Sequence, residues 1–315
     1  MTRTSKTAAP PKRGRESWLC TGAMLSTIAL VAVTAAVTSR LAAAEATTVA
    51  ALAQQTHFHG IAVDLTEPSR LYLATHHGLY AVAPDGSATR LSPVQDFMGF
   101  TPHPTDPSIL YASGHPATGG NLGFIASREG GASWSQLAEG VGGPVDFHQM
   151  DVSPADPNVI YGAYGGSLQI SRDGGQTWEV VGPAPDGLID LAASSTDPST
   201  LYAATQAGLL QSEDGGKTWQ DAYWLRRPAT MVHVTPDGAV YAFVVGAGLI
   251  ETMEPKLSWR TITKDGFGGD YVLHFAGDPS DAATLYAIAM HPESHAQKVL
   301  ASRDGGQTWT PLGAG

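Results

Sequence analysis

The chain has 315 residues, 43% of them apolar and only 15% charged. Its 36 Gly and 21 Pro exceed the ordinary share but fall short of the roughly 25–30% that marks low-complexity disorder, so a sizeable packed core is expected. A single cysteine excludes a disulfide framework and cysteine-built zinc or iron–sulfur sites, and a formal charge of −11 argues against general nucleic-acid binding.

The chain opens on a basic stretch with Arg3, Lys6, Lys12, Arg13 and Arg15, and the segment 17–39 beyond it carries no charge. A basic start before an apolar run reads as an export signal, and Ala42-Ala43-Ala44 supplies small residues for cleavage. The run also reaches the ~20 residues needed to span a bilayer, with the basic side in the cytoplasm. Segment 1–44 is thus a signal peptide or a membrane anchor. In both cases the body is exported to the periplasm or beyond, with any membrane contact confined to a retained anchor. Cleavage after Ala44 would leave 12 basic against 28 acidic residues, a formal charge of −16. Residues 45–56 read as a linker, unless Thr47–Leu52 adds a strand to the repeat-bearing body.

The remainder, 57–315, repeats one pattern six times. An apolar–Tyr pair opens a strand at Tyr72, Tyr111, Tyr161, Tyr202, Tyr241 and Tyr286, at steps of 39, 50, 41, 39 and 45 residues. Asp-Pro or Glu-Pro turns precede most of these pairs. A second signal, Ser-x-Asp-Gly-Gly-x-Thr-Trp, is intact at 171–178, 212–219 and 302–309, and nearly so at 127–134. Short strands at this spacing, punctuated by Pro and Gly, predict an all-β chain. Four strands per unit of about 40–45 residues is the period of a propeller blade. The fold expected is therefore a six-bladed β-propeller whose blades stack radially around a channel.

The Ser-x-Asp-Gly-Gly-x-Thr-Trp copies resemble the Asp-box, or BNR, repeat of sialidase-like propellers. In such a turn the Asp and Ser accept backbone N–H groups, the glycines permit positive φ and the Trp packs behind. Asp173, Asp214 and Asp304 are accordingly scaffold residues. The whole chain, with His59-Gly60 and Ala74-Thr75-His76-His77-Gly78 early on, is also similar to a bacterial family of single exported propellers labelled glycosylhydrolase. That resemblance implies glycoside hydrolysis on extracytoplasmic glycans. Other Asp-box propellers bind proteins as assembly factors for photosynthetic complexes, which implies an extracytoplasmic protein as an alternative partner.

Strand-one starts and strand-two ends lie at one face of such a propeller, with the Asp-Pro turns at the other. Counting from the marker tyrosines, blades one to three place His57 and His59, Asp96 and Met98, Asp146 and His148 at strand-one starts, with His76 and His115 at strand-two ends. Blade four has Gly187, Ile189 and Gln206 instead. His59, His76, His115, His148 and Met98 are therefore candidate metal ligands. Imidazole with thioether suits copper, and imidazole with carboxylate also suits zinc. The same side chains could instead hydrogen-bond loop backbone around a wet channel.

A glycosidase would use two carboxylates, for which Asp96 and Asp146 are the pair, with Asp190 and Asp270 in reserve. A sialidase would also need three arginines on the sugar carboxylate, and only Arg226 and Arg227 can reach the pocket. For a small-molecule, glycan or protein ligand, the expected contacts are Trp224, Arg226 and Arg227, with His57 and His77 beside the metal candidates. Trp224 could equally plug the gap between blades four and five.

Overall fold

The structure is a computed structural model, and it describes residues 46–314. The signal or anchor segment lies outside the described residues. Among the described residues no helix is long and apolar enough to cross a membrane.

The chain forms six antiparallel sheets, five of them built in simple sequence order and the first carrying one extra N-terminal strand at its outer edge. Blade one comprises Phe58–Val63, Leu71–Thr75, Gly78–Val82 and Ser87–Arg90. Blade two runs from Gln95–Pro102 through Leu110–Pro116 and Phe124–Ser127 to Ser135–Ala138. Blades three to six begin with Gln149–Val152, Leu188–Ala193, Ala229–Val234 and Tyr271–Asp278. These first strands contact one another in succession, and Tyr271–Asp278 meets Phe58–Val63 to close the ring. Blade six supplies all four of its own strands and ends with Thr310–Pro311. The fold is thus a six-bladed all-β propeller.

Burial explains why the blades stack. Each sheet has two apolar faces, and the core consists of six clusters, one in each gap between neighbouring blades. Tyr161 and Tyr202, 1% exposed, sit in such gaps. The Tyr161 hydroxyl donates to the Pro198 carbonyl at 2.8 Å, tying blade three to the Asp-Pro turn of blade four.

The Asp-boxes link third and fourth strands, as their sequence predicts. In the box at 171–178, Asp173 Oδ1 accepts the Thr177 amide at 2.9 Å, and Oδ2 accepts the Thr177 hydroxyl at 2.6 Å. These bonds hold its carboxyl down at about 2. Ser171 Oγ accepts the Gly175 amide, and Trp178 Nε1 donates back to the Gly175 carbonyl. Gly175 has φ +87°, and a Cβ there would lie 2.0 Å from the Phe124 ring. The second glycine therefore lets blade two's aromatic press against the turn. Trp178 completes the wedge against Phe124 and Phe147.

Within the stretch read as a linker, Ala46–Thr48 forms a fifth strand on the outer edge of blade one, paired with Ser87–Arg90. Val49–Leu52 then forms one helical turn, with Val49 and Leu52 buried in the gap between blades six and one. The N-terminal segment therefore caps the seam at which the ring closes.

Candidate metal centre at the channel mouth

His59 lies in the first strand of blade one, at a bulge between Phe58 and Gly60. His76 follows the second strand, which runs back antiparallel to the same end. The two imidazoles meet edge to face, with Nε2 of each 3.1 Å apart. From blade two, Asp96 Oδ2 lies 2.8 Å from His76 Nδ1, and Asp96 Oδ1 lies 3.9 Å from His59 Nε2. A carboxylate can only accept, so His76 carries a proton on Nδ1; His59 Nε2 lies 3.2 Å from that nitrogen and 3.1 Å from Nε2. Burial, together with the neighbouring His76, His274, His148 and His57, pushes the His59 imidazolium down to about 3. This ring is neutral at any ordinary pH, as a metal ligand must be.

A second group joins blades two and three. Asp146 Oδ2 lies 2.9 Å from His115 Nε2 and 2.7 Å from His148 Nε2. The bond to Asp146 raises the His148 pKa, with further help from the Asp146 and Asp96 charges. On the far side of the His115 ring, Nδ1 lies 2.9 Å from the Gly120 carbonyl. His115 follows Gly114, whose φ is +127° and where a Cβ would come within 2.2 Å of the Asp96 carbonyl. The glycine is what lets the second strand of blade two close on the first at this point.

Each group offers three ligand atoms close enough to hold one ion. In each, one carboxylate oxygen is buried without a partner: Asp96 Oδ1 and Asp146 Oδ1. Asp146 itself is only 6% exposed. Buried carboxylate oxygens are rarely left this way.

The other sequence candidates are placed differently. Met98 is buried two residues along the strand from Asp96. His57 is exposed, with its ring centre 5.8 Å from that of His76. His77 is exposed, and its amide donates to Thr75 Oγ1. Trp224 is 77% exposed, so it does not plug the blade four–five gap. Tyr223 and Leu225 do so instead, packing with Trp259. Arg226 is exposed and pairs with Asp221 at 2.6 Å, and Arg227 is exposed. Asp270 is buried and paired with Lys298 at 2.7 Å.

Asp190 is a tie between blades: its Oδ2 accepts the Val232 amide of blade five at 3.0 Å. Asp151, which the sequence did not single out, does the same for the Ala193 amide of blade four at 2.9 Å. Both line a channel cavity of about 170 Å³ walled by first strands of all six blades. Burial pushes Asp190 up to about 7 and Asp151 to about 6. His233 and His274 line the same cavity, and burial pushes both imidazoles down to about 4. The two imidazole–carboxylate groups lie outside this lining.

Counting from the marker tyrosines could not find His274. It pairs with Ile288, two residues beyond Tyr286, in the register position that Gly60 holds in blade one. The Gly120 carbonyl was also out of reach, because it belongs to the loop 117–123, whose path no local pattern specifies.

Blade count, closure and repeat together define a six-bladed β-propeller with Asp-box turns. The family model for the BNR/Asp-box repeat matches residues 169–180. No curated protein sequence matches the chain. Among solved structures, it resembles the GH74 xyloglucanase from Xanthomonas campestris, with a TM-score of 0.55 and 18% identity over 85% of this chain and 46% of that one. A GH74 enzyme from Niastella koreensis gives a TM-score of 0.57 and 15% identity over 81% of this chain and 45% of that one. The chain therefore spans less than half the length of these enzymes, and at such identities the likeness is one of fold.

Proposed function

We propose that this protein binds transition-metal ions, zinc(II) or copper(II), at the mouth of its propeller channel. One observation carries the reading. His115 Nδ1 is hydrogen-bonded to the Gly120 carbonyl at 2.9 Å while its Nε2 lies 2.9 Å from Asp146 Oδ2, and a neutral imidazole has a single N–H. The Gly120 carbonyl takes that proton on Nδ1. With that proton on Nδ1, Nε2 keeps a lone pair beside Asp146 Oδ2 and His148 Nε2, three ligand atoms near enough to one another to hold one ion. A carbonyl that fixes the tautomer of a ligating histidine is a recurrent outer-shell device. Imidazole–carboxylate sets suit zinc(II) and copper(II).

In this reading His115, His148 and Asp146 hold one ion. His59 and His76 hold another, with Asp96 orienting His76. The basic start and apolar run of the sequence support an extracytoplasmic setting for this activity. Calorimetric titration with zinc(II) tests the reading: His115→Gln should lose the ion of the second group while its melting temperature stays near that of the unsubstituted protein. Equal zinc uptake by both proteins would reject the role of His115.

A second reading, a glycoside-hydrolase-like activity on extracytoplasmic glycans, is favoured by the GH74 fold likeness. Asp96 and Asp146 would be its carboxylates. It predicts cleavage of a chromogenic glycoside that Asp96→Asn and Asp146→Asn abolish; a full panel left uncleaved would remove it.

A further inference from the structure

We infer that the two imidazole–carboxylate groups form one two-ion centre that takes a bridging oxyanion such as a phosphate group. The inference rests on the metal reading above and deepens it.

The groups are joined through blade two. Asp96 belongs to the first and His115 to the second, and these residues are direct register partners on adjacent antiparallel strands. Such partners lie about 4.5–5.5 Å apart at Cα, with their side chains on one face of the sheet. The glycine before His115 permits this approach. The ions would therefore be near neighbours on one rim, each bounded by a carboxylate that keeps a buried, unpartnered oxygen.

Charge then identifies the missing component. Two divalent ions bring four positive charges. The imidazoles are neutral ligands, and Asp96 and Asp146 supply one negative charge each. The loaded centre keeps an excess of two positive charges in a partly buried setting, where an uncompensated charge is costly. A dianionic oxyanion spanning both ions balances it, the role such ligands play at two-metal sites.

Blade six provides the contrast. Its mouth acid, Asp270, is neutralised by Lys298 at 2.7 Å. Among the described residues, Asp96 and Asp146 have ion-pair partners that are all histidines. The carboxylates at the rim of blades one to three are thus not neutralised by lysine or arginine, so an anion held there would depend on the bound metal.

The test is calorimetric titration of the protein with zinc(II), then with inorganic phosphate. The expected result is two zinc ions per chain and one phosphate per zinc pair, with none taken up by the metal-free protein. His76→Ala and His148→Ala remove exposed rings, one from each group. Each variant should keep one zinc and lose phosphate binding, with thermal unfolding verifying that the fold is intact. Should either variant prove misfolded, His76→Gln and His148→Gln replace them. The inference is overturned if the two-zinc protein takes no phosphate, if a single-zinc variant binds phosphate as well as the unsubstituted protein does, or if only one zinc binds. An absence of any zinc binding would instead remove the metal reading itself.

Discussion

His59 Nε2 and His76 Nε2 lie 3.1 Å apart, His59 in the first strand of a hairpin and His76 just after the second. Two imidazoles bound to one tetrahedral ion, each at about 2.0–2.1 Å, would hold their nitrogens only slightly farther apart. The Asp96 bond to His76 Nδ1 fixes the ring that completes this pair. Asp96→Asn should therefore weaken zinc binding at this group by about 10–100-fold, the usual effect of removing an outer-shell partner. Competition against a chromogenic chelator measures it. Unchanged affinity would show that Asp96 does not position His76.

Gly114 sets the spacing between Asp96 and His115. Gly114→Ala puts a Cβ against the Asp96 carbonyl at a φ that L side chains rarely adopt. The strand must shift, and metal uptake should fall at the second group before the propeller unfolds. A variant that is less stable yet binds zinc fully would contradict this role.

The channel ties give a pH signature. Asp190 titrates near 7 and Asp151 near 6 in the folded protein, against about 3.9 in an unfolded chain. Between these values the folded state holds the extra protons. Their contribution to stability is full below about pH 4 and is lost as pH rises toward 7. His233 and His274, held near 4, slope the other way, and their contribution is lost as pH falls from about 6.5 to 4. Asp190→Asn removes one carboxyl of the first pair. The stability of the unsubstituted protein relative to this variant, from urea unfolding, should decline between about pH 4 and 7 and level off above. A constant difference across that range would reject the assignment.

The seam cap is testable through Leu52, which is 3% exposed in the gap between blades six and one. Leu52→Ala should cost about 2–5 kcal/mol by creating a cavity, measured by denaturant unfolding, and should leave metal uptake unchanged. A cost within experimental error would mean that the ring closes without the N-terminal segment.

Much of this fold is legible in the sequence because its determinants are local. The marker tyrosines and Asp-boxes fix strand order and turn positions, and each blade repeats them. Residues near the mouth, such as His59 and Asp146, emerge from counting, because equivalent strands start at one face. What the sequence conceals is set by loop path and by contacts between blades. The Gly120 carbonyl reaches His115 only through its own loop. Asp151 and Asp190 resemble any strand-one acid until the amides of the next blade are seen to point at them. The sequence offers Thr47–Leu52 as an added strand, but only Ala46–Thr48 pairs, because the edge of blade one offers it a ladder, while Val49–Leu52 coils into a helical turn.

The most direct measurement is elemental analysis of the protein after equilibration with zinc(II) or copper(II) and exhaustive dialysis. The account predicts two ions per chain, and none in the double variant His59→Ala/His148→Ala. Equal metal content in the two proteins would contradict it.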